Sequence, residues 1–407
     1  MTLKELTEKI DKLGGELFLV GGAVRDTVIG CESHDRDFVV VGLNENIFMN
    51  NFEAKRTGKQ FPVFRLQVDD EEVEIALARK EEKIGEGHNG FQMIFDETIS
   101  IEEDLIRRDV TMNAMAISMK DNRLVDPFHG KEDIQNKIIR ATSEHFLEDP
   151  LRVLRVARQA AKFNFSVSED TLKLMNKCKD ELHTLPFSRI WGEMEKALMT
   201  KKPSIFFQVL KDANVLNDIF PEIANLIGKT QPIEFHPEGD AFNHSMLVLD
   251  EVSKSSNSLE ARFCALFHDI GKSITPKELL PKHHGHDFEG KKIIDSWNSE
   301  RFPVKLRKSA SVVAETHMNI ATVNKPGKII DILTKVLRNC PLEVIRCVIT
   351  IDRNKMIPIL EDNFVNFVMS KVDIPDEIKF CGDGNKIAEF VRNVRISRIK
   401  EFRKKGI

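Results

Sequence analysis

Strand-type patterning is confined to the first 140 residues of this 407-residue chain, and nearly everything after it is written in helical periods. ELFLV (16–20) predicts a short apolar strand running into Gly21-Gly22, and DRDFVVVG (35–42) predicts a second, buried strand. FPVFRLQV (61–68) and VEIALA (73–78) flank DDEE, which predicts a hairpin turn. KEEKIGEGHNG (80–90) is polar and glycine-rich and predicts a loop. Residues 101–118 begin as a helix, and RLVDPF returns as a strand. After Gly130 the strands are expected to stop. LRVLRVARQAAKF and RIWGEMEKALM set the helical period of 131–226, and IGKTQPIEFHPEGD (227–240) predicts a linker. Residues 241–355 are helical and rich in histidine, and 385–407 form a last helix. The expectation is an α/β head (1–140), a helical neck (141–226), a second helical domain (227–360) and a helical tail (361–407).

Composition narrows the function classes. Lys and Arg number 60 against 64 Asp and Glu, a net charge of −4. A broad non-specific nucleic-acid surface is therefore excluded, but a local basic groove is not. No apolar run approaches the ~20 residues that span a bilayer, and MTLKELTEKIDKLGG is a charged helix pattern, so no membrane partner is expected. Six scattered cysteines without CxxC spacing argue against a disulfide scaffold or thiolate zinc site and fit a reducing, cytoplasmic setting. The chain has 27 Phe and no Tyr, so no phenol can serve as an acid or donor.

LVGGAVRD (19–26) places two glycines between a strand and a helix start. Glycines let backbone N–H groups approach an anion, and a helix N-terminus favours negative charge. Gly21, Gly22 and Arg25 are thus candidate phosphate contacts, although a strand-end Gly-Gly is also an ordinary tight turn. Asp35-x-Asp37 heads the next strand, where a period of two puts both carboxylates on one face. Such a pair is costly without a cation and suits Mg²⁺. Glu74 is a candidate third carboxylate on a later strand.

GGAVRD followed by DRD resembles the head of nucleotidyltransferases related to DNA polymerase beta. It resembles most the class II branch, which holds bacterial tRNA nucleotidyltransferases (CCA-adding enzymes) and bacterial poly(A) polymerases. EEDLIRRDVTMNA (102–114) is similar to that branch's RRDxTxNA segment, which implies ribose contacts from Arg108 and Asp109 and a nucleotide-site role for Asn113. DPFHG (126–130) resembles the element joining head to neck, and EDPLRVLR (148–155) resembles the EDxxR base-recognition motif. On a helix, Glu148 or Asp149 shares a face with Arg152. A carboxylate and a guanidinium side by side can imitate a complementary base edge, or can be a plain surface ion pair. Arg155 and Arg158 continue the stripe as candidate triphosphate contacts. A loop at 80–90 resembles the one that terminal A addition requires in CCA-adding enzymes.

Histidines cluster between 236 and 317. FHDIGK (267–272) resembles the motif of HD-domain metal phosphohydrolases. The resemblance implies His244, His268, Asp269 and Asp352 as ligands of a divalent transition metal such as Ni²⁺, with His283, His284 and His317 as accessory groups. TIDRNK around Asp352 departs from the family's usual Ala-Asp followed by Arg-Gly-Arg, and Ser188-Arg189 stands where Glu-Arg is frequent.

The resemblance implies a CTP(ATP):tRNA nucleotidyltransferase that builds the 3′-terminal CCA without a template, using Mg²⁺ on Asp35 and Asp37. It also implies a second phosphohydrolase activity on 2′,3′-cyclic phosphates, 2′-nucleotides and phosphomonoesters. Its partners would be the tRNA 3′ end, CTP and ATP, with the chain a monomer or homodimer. The alternatives are a poly(A) polymerase of the same class, or an HD phosphohydrolase whose head only binds nucleotide. Arg392, Arg395, Arg398, Lys404 and Lys405 could extend an RNA track or belong to an amphipathic helix packed through Val391, Val394, Ile399 and Phe402.

Overall fold

A computed structural model describes residues 1–32, 36–57, 62–83, 91–298, 300–380 and 382–405. The chain divides into two compact units. The first comprises Met1–Ala197 with Ile205–Ile219, and the second Leu198–Ser204 with Phe220–Ile407.

The first unit is built on a mixed sheet. Its strands are β1 (Glu16–Val20), β2 (Asp37–Val41), β3 (Lys55–Thr57), β4 (Val63–Val68) and β5 (Glu71–Leu77), and they continue, past a separate hairpin of β6 (Lys80–Lys83) and β7 (Phe91–Ile94), with β8 (Ala116–Ser118) and β9 (Leu124–Val125). The seven-stranded order is β3-β4-β5-β2-β1-β8-β9. The β4–β5 hairpin turns on Asp69 and Asp70, both at positive φ (49° and 66°), as a two-residue loop matched to strand twist requires. β2 lies between β1 and β5, and Phe38, Val39 and Val40 are all buried. One face packs Phe38, Val40, Phe64 and Ile75 against Leu6 and Ile10 of the first helix, and the other packs Phe18, Val20 and Val39 against Leu105, Ala114 and Ala116. Both faces being covered explains the unbroken apolar run of β2. Capping boxes at Thr2/Glu5 and Ser100/Glu103 start the helices Leu3–Lys12 and Ile101–Ile106.

Three features correct the sequence reading. Strands do not stop at Gly130, because β10 (Ile138–Ile139) and β11 (Ser166–Val167) form a small parallel pair. Two residues are too short to show a period. The segment read as a loop at 80–90 begins in β6, which pairs with β7, while 84–90 lie outside the described residues. β3, at the sheet edge, was also not legible, since KRT carries no apolar alternation.

The second unit is helical. An aromatic cluster of Phe263, Phe267, Trp297 and Phe302 fills part of its core, with ring centroids 4.8–5.8 Å apart. The last helix, Gly384–Lys405, packs through buried Ile399 and through Phe402, which meets Phe364 and Phe367. Arg392 pairs with Asp331, and Arg398 donates to the carbonyls of Val368, Ser370 and Lys371. The tail arginines at 392 and 398 thus serve packing of this unit.

Candidate functional site

In the first unit, pairing of Val20 with Asp37 makes the Gly21-Gly22 turn open beside Asp37. Parallel pairing of β2 with β5 sets Asp37 directly opposite Glu74. Gly21 sits at φ 70°, ψ −133°, a conformation that favours glycine, and an added Cβ would lie 3.2 Å from Arg108 Nη1. These residues line a cleft of about 520 Å³. Its walls also include Arg79, Arg107, Arg108, Asp109, Asn113, Asp149, Arg152, Arg155 and Arg189. Six arginines against four carboxylates (Asp37, Glu74, Asp109 and Asp149) make the cleft suited to a polyanion. Asp35 lies outside the described residues.

Several side chains expected to touch a ligand organise the cleft. Asp109 is buried, and its Oδ2 accepts from Arg155 Nη2 (2.8 Å) and Gln159 Nε2 (3.2 Å), while Oδ1 accepts from Asn113 Nδ2 (3.1 Å) and its neighbour's amide, Val110 N (2.9 Å). Burial opposes its charge, but Arg155, Asn113 and Arg152 override it and hold the carboxyl at about 2. Asn113 in turn accepts from Arg25 Nη1 at 2.7 Å. Arg25 itself lies outside the cleft lining, paired with Asp26 and 4.7 Å over the Phe163 ring. Arg158 also turns away and pairs with Glu193. Glu74 is bridged to Arg65 at 2.7 Å. Glu148 Oε1 meets His145 Nδ1 (2.6 Å), whereas its Oε2 and Arg108 Nε are buried without a hydrogen-bond partner. Asp149 Oδ1 accepts from Leu151 N (3.0 Å) at the start of the Leu151–Phe163 helix, one turn before Arg152.

In the second unit, His244 (helix Ala241–Ser255), His268 and Asp269 (end of helix Leu259–Phe267) and Asp352 (last residue of helix Leu342–Asp352) converge in a buried pocket. His244 Nε2 is 3.1 Å from Asp352 Oδ1 and 3.6 Å from Asp269 Oδ2. His268 Nε2 is 3.3 Å from Asp269 Oδ2 and 3.5 Å from Asp352 Oδ1. His268 Nδ1 contacts the Ala265 carbonyl (2.8 Å), and His244 Nδ1 contacts Glu238 Oε1 (2.6 Å). Both partners only accept, so both Nδ1 atoms carry the proton, and in the neutral rings the Nε2 lone pairs face the carboxylates. His268 Nε2 is accordingly buried without a hydrogen-bond partner. Acceptors gathered around acceptors require a positive charge. Burial opposes protonating His268, yet Asp269 and Asp352 raise it to about 10. A divalent ion meets the same electrostatic demand, and the imidazole-carboxylate donor set fits one. The 227–240 segment, expected as a linker, belongs to this unit and supplies Glu238, which orients His244.

Of the accessory histidines, His317 joins the cluster: its Nε2 lies 3.3 Å from Asp269 Oδ1. His283 instead contacts Thr275 Oγ1 and the Thr230 carbonyl, and His284 is exposed. His286, not among the expected site residues, is buried with Nε2 3.3 Å from the same Asp269 Oδ1.

Residues 17–140 match the family described as poly A polymerase head domain, 164–227 that described as probable RNA and SrmB-binding site of polymerase A, and 241–339 the HD domain. A multifunctional CCA protein of Vibrio campbellii is 45% identical over 328 residues, covering 79% of this chain and 80% of that protein. One of Acinetobacter baumannii is 42% identical over 330 residues, with 79% of each chain covered. The chain belongs to the multifunctional CCA protein family. The fold agrees with that of a Thermotoga maritima CCA-adding enzyme complexed with tRNA (TM-score 0.65, 20% identity, 97% of this chain and 90% of that one). It also agrees with a CCA-adding enzyme in complex with ATP (TM-score 0.64, 20% identity, 97% and 88%). Among the described residues no helix is long and apolar enough to cross a membrane.

Within this family frame, three arginines of the cleft fell outside the sequence-based site: Arg79, Arg107 and Arg189. Arg107 opens the RRDxTxNA segment and Arg189 belongs to the noted Ser188-Arg189 departure, but Arg79 follows β5 without any motif of its own. The signal for His286 was its place in HHGH, where spacing alone does not tell which ring turns inward.

Proposed function

We propose that the chain is a CTP(ATP):tRNA nucleotidyltransferase that adds the 3′-terminal CCA, with a second, HD-type phosphohydrolase activity, working in the cytoplasm. The observation that carries the first activity is the arginine-rich cleft joining Gly21-Gly22 and Asp37 to Asp149 and Arg152. In this reading Asp35 and Asp37 hold Mg²⁺, which supplies charge neutralisation at the triphosphate and the attacking tRNA 3′-hydroxyl. Glu74, held by Arg65, supports that pair from the adjacent strand. Arg108, Arg152 and Arg155 bind the nucleotide, with Asp104 holding Arg108 and Asp109, itself bonded to Asn113, holding Arg155. Glu148, Asp149 and Arg152 read the base edge of CTP or ATP. Arg25 and Arg158 act as positioning residues through Asn113 and Glu193.

At the second site His244, His268, Asp269 and Asp352 hold a divalent transition ion, which supplies Lewis acidity toward a phosphate ester. Asp352 closes this set at 3.1 Å from His244 Nε2 although its flanking sequence departs from the family pattern.

The test supplies Mg²⁺ and tRNA transcripts ending before CCA, after C and after CC, with CTP and ATP separately and together, and sizes products at single-nucleotide resolution. Growth that stops after CCA, with A added only behind CC, is expected. Open-ended A tails would identify a poly(A) polymerase instead. No addition alongside metal-dependent phosphate release would leave an HD phosphohydrolase with a nucleotide-binding head, the reading in which only the second site turns over.

A further inference from the structure

We propose that the turn at residues 231–238 recognises the nucleoside part of the second site's substrate, with the exposed Phe235 ring as the platform on which a base stacks. This rests on the phosphohydrolase reading of that site and names what its substrate carries beside the phosphate. The turn is closed by its own backbone. Gln231 N donates to the Gly239 carbonyl (3.1 Å), Ala241 N donates to the Lys229 carbonyl (3.0 Å), and Thr230 bridges to Asp240. At the tip, Phe235 N and His236 N both donate to the Pro232 carbonyl, at 3.1 and 3.0 Å.

One set of its side chains reaches the buried pocket. Gln231 is buried, and its Oε1 accepts from Lys272 Nζ at 2.5 Å, the same Nζ that donates to Asp269 Oδ2. Gln231 Nε2, the other arm of that amide, is buried without a hydrogen-bond partner. A phosphate oxygen entering beside Lys272 supplies the missing acceptor. His236 Nδ1 and His244 Nδ1 share Glu238 Oε1, at 3.0 and 2.6 Å, and their rings lie 4.6 Å apart.

The other set faces solvent and is apolar. Phe235 is 76% exposed and Ile233 is 77% exposed, although both residue types are ordinarily buried. Single exposed apolar side chains need no explanation, but these two share one tip. Phe235 also directly precedes His236, so one peptide unit ties the exposed ring to the wall of the pocket. A phosphate ester held in the pocket by its phosphate leaves its alcohol part at the mouth. Charge decides which part of a nucleotide can meet the turn there. Residues 230–240 carry Glu234, Glu238 and Asp240 and no Lys or Arg, so they repel a phosphate backbone and leave a neutral base as the partner. Every base has a π-face, so an aromatic platform accepts any of the four.

The test uses the full-length chain supplied with a divalent transition ion. It compares kcat/KM for 2′-AMP with that for glycerol 2-phosphate, which has the same kind of secondary ester and no base. The wild type is expected to prefer 2′-AMP. In Phe235→Ala the ratio of the two values should fall by about tenfold, through KM for 2′-AMP, the scale of one lost base–aromatic stack. Phe235→Trp should keep the ratio. A ratio does not depend on the fraction of protein folded, and the wild-type preference is read without any substitution. A wild type without preference, or an unmoved ratio in Phe235→Ala, overturns the proposal. Sedimentation of both proteins is measured alongside. A dimer that Phe235→Ala dissociates, with the ratio unmoved, would assign this face to a second copy of the chain instead. If the wild type hydrolyses neither ester, the phosphohydrolase reading itself fails and the proposal falls with it.

Discussion

Asp109 and Arg155 meet at 2.8 Å in the wall of the arginine-rich cleft, joining the segment after β7 to the helix that begins at Leu151. The carboxylate is buried and also holds Asn113 and Gln159, so one acidic group sets the direction of three donors. Asp109→Asn keeps the shape but removes the charge. Breaking a buried pair from one side costs about 3 kcal/mol or more. The expected result is a lower melting temperature of the first unit together with at least a tenfold loss of both C and A addition. Unchanged addition would show that Arg155 does not depend on Asp109.

A second expectation concerns acid. Asp104 is fully buried; burial resists its ionisation, but Arg107 and Arg108 bring its carboxyl from 3.8 down to about 2. A folded-state value below the unfolded one contributes stability that is complete above about pH 4 and is lost as pH falls through about 2. The shift corresponds to about 2 kcal/mol. Melting of wild type and Asp104→Asn should therefore differ most at neutral pH, and the gap should narrow toward pH 3. A gap independent of pH would contradict this ion pair's role.

The two sites should separate by mutation. Asp37→Ala is expected to lower nucleotide addition by about three orders of magnitude, or about 4 kcal/mol of barrier, while sparing phosphate release. His268→Ala is expected to do the reverse. Loss of both activities in His268→Ala would assign that ring a structural role for the whole chain.

Gly271→Ala should disturb the buried histidine–aspartate pocket without replacing any of its side chains. Its Cβ would collide with the His286 backbone, and overpacking of this kind costs about 1–3 kcal/mol. The expected readout is weakened Mn²⁺ binding with nucleotide addition retained. Full Mn²⁺ affinity would mean that the helix carrying His286 accommodates the methyl group.

The order of most elements, and many of the residues that the fold gathers in the cleft and in the buried histidine–aspartate cluster, were legible in the chain itself. Gly21-Gly22, the Asp35-x-Asp37 strand head, the RRD and EDPLR segments and His268-Asp269 are local patterns, and a local pattern survives in one dimension. So does the β4–β5 hairpin, read from DDEE between alternating strands, although the turn itself is only Asp69-Asp70 and Glu71 and Glu72 pair within β5. Strands of two residues did not, because pairing of Ile138 with Ser166 is a long-range event without a period to announce it.

What tertiary structure decided is direction. Sequence put Arg155 and Arg158 on one stripe, yet packing turns Arg155 to Asp109 and Arg158 to Glu193. Sequence offered four histidines around the HD motif's partners, and folding sends His286 and His317 to Asp269 while His283 goes to Thr275 and His284 to the surface. A residue's chemistry belongs to its side chain and can be read singly. Which oxygen or lone pair it faces depends on a backbone brought close from elsewhere in the chain, as Gly271 allows the His286 helix to come close to Asp269.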